Sequence, residues 1–110
     1  NPGIGALFAS SEASSLGAIQ ALQSRGLNGK VRLITFDTSE AHREALANGT
    51  IDVMMVQDSA RIGYEAVKSL TEKLAGRTPS KRMDLPVRMV TKAMMAQPEI
   101  QELISPKMDL

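Results

Sequence analysis

An α/β fold, built as a parallel sheet with flanking helices, is what this sequence predicts, and three observations carry it. Short apolar runs alternate with amphipathic stretches three times: residues 4–10, 31–36 and 51–56 each lead into a segment of helical spacing. The runs hold few polar residues, as do strands covered on both faces. Each ends in a polar cluster suited to opening a helix: Ser10-Ser11-Glu12, Asp37-Thr38-Ser39 and Gln57-Asp58-Ser59.

In order along the chain, the strand at 4–10 passes into a helix on which Leu16, Ile19 and Leu22 recur on one face. Gly26, just after Arg25, is its expected stop. Gly17 lies inside this helix, where a close approach of helix to sheet is the expected reason for a missing side chain. Asn28-Gly29 marks a turn before the strand at 31–36. A short helix over 40–47 follows and ends at Asn48-Gly49, and the third strand covers 51–56. The helix over 60–75 carries an apolar stripe of Ile62, Ala66, Val67, Leu70 and Leu74, and Gly76 closes it.

Arg77, Lys81 and Arg82, with Pro79, form an expected solvated connector. A fourth strand spans 87–90, and Pro86 before it suits a strand entry or a sheet edge. Thr91 can open a short helical turn and Pro98 a further helix; 105–110 is an expected loose tail. The Met54-Met55 and Met94-Met95 pairs suit core filling. Short connections make the first three strands sequential neighbours joined by right-handed crossovers.

Composition narrows the function classes. A chain of 110 residues with 43% hydrophobic and 23% charged residues fits one small globular domain. Thirteen basic and twelve acidic residues without a cationic cluster argue against a nucleic-acid partner. The absence of cysteine removes disulfides and thiolate metal sites but does not choose a compartment. No apolar run reaches the roughly 18–20 residues of a membrane span. No basic-then-apolar leader opens the sequence, and Asn1-Pro2-Gly3 running straight into an apolar stretch reads as the interior of a longer protein.

Parallel sheets bind ligands at the carboxyl ends of their strands, where the three polar clusters fall. A carboxylate, an amide and a hydroxyl on one edge suit sugar hydroxyls: Asp37 accepts from adjacent OH groups, and Gln57 donates and accepts. The competing reading is that these residues only cap helices; it accounts for Ser11, Ser39 and Ser59 but not for Gln57. Other chemistry fails. Gly3-Ile4-Gly5 precedes its strand and lacks a third glycine, and no phosphate loop is present. No serine-nucleophile arrangement can be read, and a receiver-type Asp37 lacks its acidic pair and lysine. His42, the sole histidine, is expected on the solvated surface. No catalytic residue, metal site or cofactor is expected, so the chain is not expected to be an enzyme.

Specific stretches then resemble one family. Residues 8–18 (FASSEASSLGA), Phe36-Asp37, Asn48-Gly49-Thr50-Ile51-Asp52, residues 56–67 (VQDSARIGYEAV), Val90-Thr91-Lys92 and residues 97–104 (QPEIQELI) resemble, in order and spacing, the C-terminal portion of type I periplasmic sugar-binding proteins of the ribose-binding kind. The resemblance covers nearly the whole chain. It implies a flavodoxin-like lobe of a periplasmic-binding-protein fold: strand–helix units at 1–58, a helix crossing to an N-terminal lobe at 59–83, and a returning strand and tail at 84–110. It implies Asp37 and Gln57 as sugar ligands, with Ser11 where many members have Asn. Thr35 stands in place of the usual Gly, and Asp58-Ser59 in place of Asp-Pro.

The implied partners are a small-molecule sugar, the missing N-terminal lobe and the membrane permease of an ABC importer. The implied place is periplasmic or extracellular, a membrane-associated lipoprotein form included. The effector-binding region of a lactose-repressor-type transcription factor shares the fold and is the alternative. With Phe8, Phe36 and Tyr64 its only aromatics, the chain lacks a stacking platform for a sugar. Three outcomes are open to the stripe on the helix at 60–75: folding back on the chain's own sheet, pairing in a homodimer, or docking on an N-terminal half.

Overall fold

In a computed structural model that describes residues 1–107, the chain forms β1 (Ala6–Ala9), α1 (Glu12–Ser24), β2 (Arg32–Phe36), α2 (Glu40–Ala47), β3 (Val53–Gln57), α3 (Ser59–Leu74), β4 (Val87–Val90) and α4 (Pro98–Ile104). A 3₁₀ turn at Lys92–Met94 joins β4 to α4, as Thr91 and Pro98 led one to expect. The tail expected at 105–110 lies partly outside the described residues.

The sheet order is β1-β2-β3-β4. The first three strands are parallel neighbours, but β4 runs antiparallel to β3, so the sheet is mixed and not wholly parallel. The physical reason is the path of residues 58–86. The chain leaves β3 at its carboxyl end, makes its excursion through α3, and returns to the same edge, where Val87 pairs with Gln57. A strand entered from that edge can only run back against its neighbour.

Pleating sends alternate residues to opposite faces. One row, Ala9–Thr35–Met54–Val90, crosses all four strands and is buried throughout. With Leu33 and Val56 it meets Ile19 and Leu22 of α1, Ala45 and Leu46 of α2, and Ile100 and Ile104 of α4 in a single core. Met54 fills that core and Met94 and Met95 pack against it as expected, but Met55, expected there too, lies on the opposite face of the sheet. The opposite face carries Phe8–Ile34–Val53 and Phe36–Met55–Met89. Phe8 and Met89 there are about three-fifths exposed, at 60% and 62%. The expectation of strands covered on both faces is therefore not met within the described residues. Two right-handed crossovers that step in the same direction across a sheet place both helices on the same side.

Local chemistry explains the ends of the elements. Ser11 and Ser39 cap α1 and α2 by accepting from the backbone N–H of Ser14 and His42. For α3 the cap is Asp58, whose Oδ1 accepts from Arg61 N at 2.9 Å, so Ser59 is the first helical residue instead. At the other end of α2, Thr50 N donates to Ala45 O at 2.8 Å and Gly49 N to Leu46 O at 3.3 Å. This closure requires the left-handed backbone of Gly49 (φ 84°). Corresponding bonds close α1 around Gly26 and α3 around Gly76. Gly17 departs from expectation: a Cβ there would meet nothing within 4 Å, so no close packing accounts for it. Asp52 ties the starts of β2 and β3 together, accepting from Leu33 N at 2.9 Å and Arg32 Nη1 at 3.1 Å. Arg43 Nη1 reaches the last carbonyl of α4, Ile104 O, at 2.9 Å.

α3 stands apart. It contains no buried residue, and Leu74 is 78% exposed. The stripe does not fold back on the sheet, which removes the first of the three outcomes. The protruding helix explains a radius of gyration of 17.2 Å, against about 13 Å for a compact chain of this length.

Candidate functional site

The carboxyl edge of the parallel strands holds a cavity of about 250 Å³ lined by Glu12, Asp37, Thr38, Val56, Gln57, Ser59 and Ile62. β2 delivers Asp37 and β3 delivers Gln57 to it, because the two strands are adjacent, parallel and in register at Phe36–Met55. Asp37 and Gln57, singled out by their positions, thus line one cavity. Ser11 does not. Its Oγ stays at the α1 cap, 3.0 Å from Ser14 Oγ, and the neighbouring Glu12 in the first turn of α1 lines the cavity in its place.

Asp37 sits at φ 72°, the one described non-glycine residue with a left-handed backbone. Asp tolerates that region better than most residues, at a cost of about 1–2 kcal/mol for an L-residue. Its N–H donates to Met55 O at 2.9 Å, which anchors the turn to β3. Behind it, Thr38 Oγ1 is buried without a partner.

His42 contradicts its expected surface position: it is fully buried. His42, Ala45 and Leu46 form the inner face of α2, an i, i+3, i+4 pattern that was present in the sequence. Its Nδ1 lies 2.7 Å from Ser39 Oγ, and its Nε2 is buried with no partner. Burial lowers its pKa below the ordinary 6.5, against the raising influence of Glu12 and Asp37.

Glu12, Thr38 and Ser59 belong to the three polar clusters read from the sequence but were not named as ligands there, and Val56 and Ile62 were not foreseen as lining residues. Only their place beside the strand ends could have signalled them. A larger open groove of about 1510 Å³ runs between α2, α3 and α4 past Arg43, Arg61, Glu99 and Glu102; none of Ser11, Asp37 and Gln57 lines it. Among the described residues, no group of three His, Cys, Asp or Glu side chains could hold a metal ion.

This strand-end arrangement has relatives. The profile of the periplasmic binding protein domain family matches residues 1–78. The chain belongs to that family. A D-ribose/D-allose-binding protein of Pseudomonas aeruginosa is 28% identical over 95 residues, covering 83% of this chain and 30% of the relative. A fructose import binding protein of Bifidobacterium longum is 30% identical over 79 residues, covering 72% of this chain and 24% of the relative. The crystal structure of a carbohydrate transporter solute binding protein from Agrobacterium radiobacter, in complex with D-arabinose, superposes with a TM-score of 0.89 at 35% identity. That match covers 94% of this chain and 35% of that one. The chain thus spans about a third or less of the length of these relatives.

Proposed function

We propose that the chain forms the closing part of one lobe of a monosaccharide-binding receptor serving an ABC-type importer, and that it binds its ligand without changing it. One observation carries this reading: Asp37 and Gln57, from adjacent strand ends, line one polar cavity at the carboxyl edge of the sheet. A carboxylate there accepts from sugar hydroxyls, and an amide both donates and accepts. The named ligands of the relatives, ribose or allose, fructose and D-arabinose, are small polyhydroxylated molecules of the size such a site takes.

Under this proposal residues 1–58 are strand–helix units of the lobe. Residues 59–83 cross to an N-terminal lobe that covers the α3 stripe, and 84–110 return. The protruding α3 and the returning, antiparallel β4 support that division. The remaining half of the sugar site, with its stacking surface, belongs to the opposite lobe. The protein works outside the cytoplasmic membrane, where it meets the permease.

Calorimetry of the full-length protein against a panel of pentoses and hexoses tests the proposal. Asp37→Ala should weaken binding by about 1.5–3 kcal/mol, the range for a hydrogen bond to a charged group. Because Ala is strained at positive φ, Asp37→Asn is the cleaner variant: it keeps the backbone tolerance and removes the charge. Unchanged affinity in both variants would remove Asp37 from the site. Mass spectrometry of recovered sugar checks that it leaves intact.

A further inference from the structure

We propose that His42 is a positioning residue of the sugar site, acting through Ser39 on the turn that carries Asp37, and that it makes ligand affinity depend on pH. This inference rests on the sugar-binding reading of the cavity and adds a control element to it.

Asp37, Thr38 and Ser39 form one short segment between β2 and α2. Its first residue holds a left-handed backbone, and a strained residue persists only where its surroundings over-determine it. One end of the segment is held by the bond from Asp37 N to Met55 O. The other end is held by Ser39. Its Oγ accepts from His42 N at 3.4 Å and lies 2.7 Å from His42 Nδ1. His42 thus grips Ser39 through both backbone and ring, and it does so from full burial.

The ring is built to be neutral there. With Ser39 donating to Nδ1, the single ring proton sits on Nε2. Protonation adds its proton at Nδ1, the nitrogen that accepts from Ser39, so that bond has to reverse or break, and it places a charge on a buried ring. His42 is also the third residue of α2, at the positive end of that helix dipole. Glu12 of α1 and Asp37 beyond β2 are the charges that act in the opposite sense. On acidification the imidazolium gains its best counter-charge by drawing on Asp37 and Glu12, the two carboxylates of the cavity. Sugar hydroxyls and the protonated ring then compete for Asp37, and the clamp on Ser39 loosens.

Two measurements on the full-length protein test this. In an NMR titration, the His42 ring and the backbone amides of Asp37 and Ser39 should follow one midpoint below 6.5. Amides that ignore the His42 midpoint would overturn the proposal, whether or not sugar binds. In calorimetry, wild-type monosaccharide affinity should fall about five- to tenfold between about pH 7.5 and about pH 5, the scale of a modest coupling between sites. His42→Asn places an amide where Nδ1 was and cannot titrate; it should keep near-neutral affinity and lose the pH dependence. His42→Leu leaves Ser39 ungripped and should weaken binding at both pH values. A flat wild-type profile, or an unaltered profile in His42→Asn, overturns the proposal. Absence of any sugar binding near neutral pH defeats instead the reading of the cavity itself.

Discussion

At Asp37, the proposed ligand chemistry and the backbone geometry make demands on the same residue. The carboxylate must face a cavity, and the backbone must turn from β2 into α2 with φ at 72°. Asp satisfies both, since its short polar side chain is tolerated in the left-handed region. Thr35, one strand residue away from that turn, shows the opposite situation. Its hydroxyl is buried in the covered face with no partner. Thr35→Val keeps the β-branch and removes the orphan, so it should stabilise the full-length protein by about 1 kcal/mol. Urea unfolding followed by circular dichroism would detect it; a loss of stability would mean the hydroxyl has a partner. His42 gives a pH prediction of definite sign. Its folded pKa lies below the 6.5 of the unfolded chain, so between the two the unfolded state binds more protons. Its contribution to stability should be complete above about pH 6.5 and decline as pH falls through the folded pKa. Melting temperatures of wild type and His42→Asn across that range should diverge on the neutral side and converge in acid.

Among the elements, the helix closures were legible and the helix environments were not. Ser39 and Asn48-Gly49 delimit α2, which spans Glu40–Ala47 as the sequence predicts. Capping is a matter of neighbours in the chain, so it can be read along the chain. The burial of His42 depends on which side of α2 meets the sheet, and a polar residue on that side hides the pattern. Asp58 illustrates how a cap can be assigned to the wrong member of a polar pair: Ser59 is equally eligible by type, and only the backbone decides. Asp58→Ala should cost about 0.5–2 kcal/mol by removing the acceptor of Arg61 N, whereas Ser59→Ala should change stability little. Thermal unfolding of the two variants side by side checks the assignment. The α3 stripe of Ile62, Val67, Leu70 and Leu74 was likewise visible as a period, but a period does not name the surface that covers it.

For the whole molecule the two uncovered apolar surfaces dominate. One is the sheet face with Phe8 and Met89, and the other is the α3 stripe. Burying a single large apolar side chain is worth about 1.5–3 kcal/mol, so both surfaces together weigh heavily against a solitary chain. Expressed by itself, the chain should bind a hydrophobic dye and sediment as more than a monomer, because large exposed apolar patches recruit partners. Analytical ultracentrifugation with dye fluorescence measures both; a dye-silent monomer would show that this exposure is tolerated. Under the proposed function, the isolated chain should also bind sugar weakly, since it would carry one side of the site and has few aromatics to stack on.

The sequence by itself determined the order of strands and helices, the helix stops at Gly26, Gly49 and Gly76, and the placing of Asp37 and Gln57 at successive strand ends. These depend on local propensity, capping and the direction of a parallel strand, all of which act over a few residues. Only the tertiary structure decided that β4 runs antiparallel, that α4 joins α1 and α2 on one side, and that Glu12 instead of Ser11 joins the cavity. It also decided that His42 lies inside. Each of these depends on where a distant segment of the chain returns and which faces meet there, and residue type along the chain carries no record of that return.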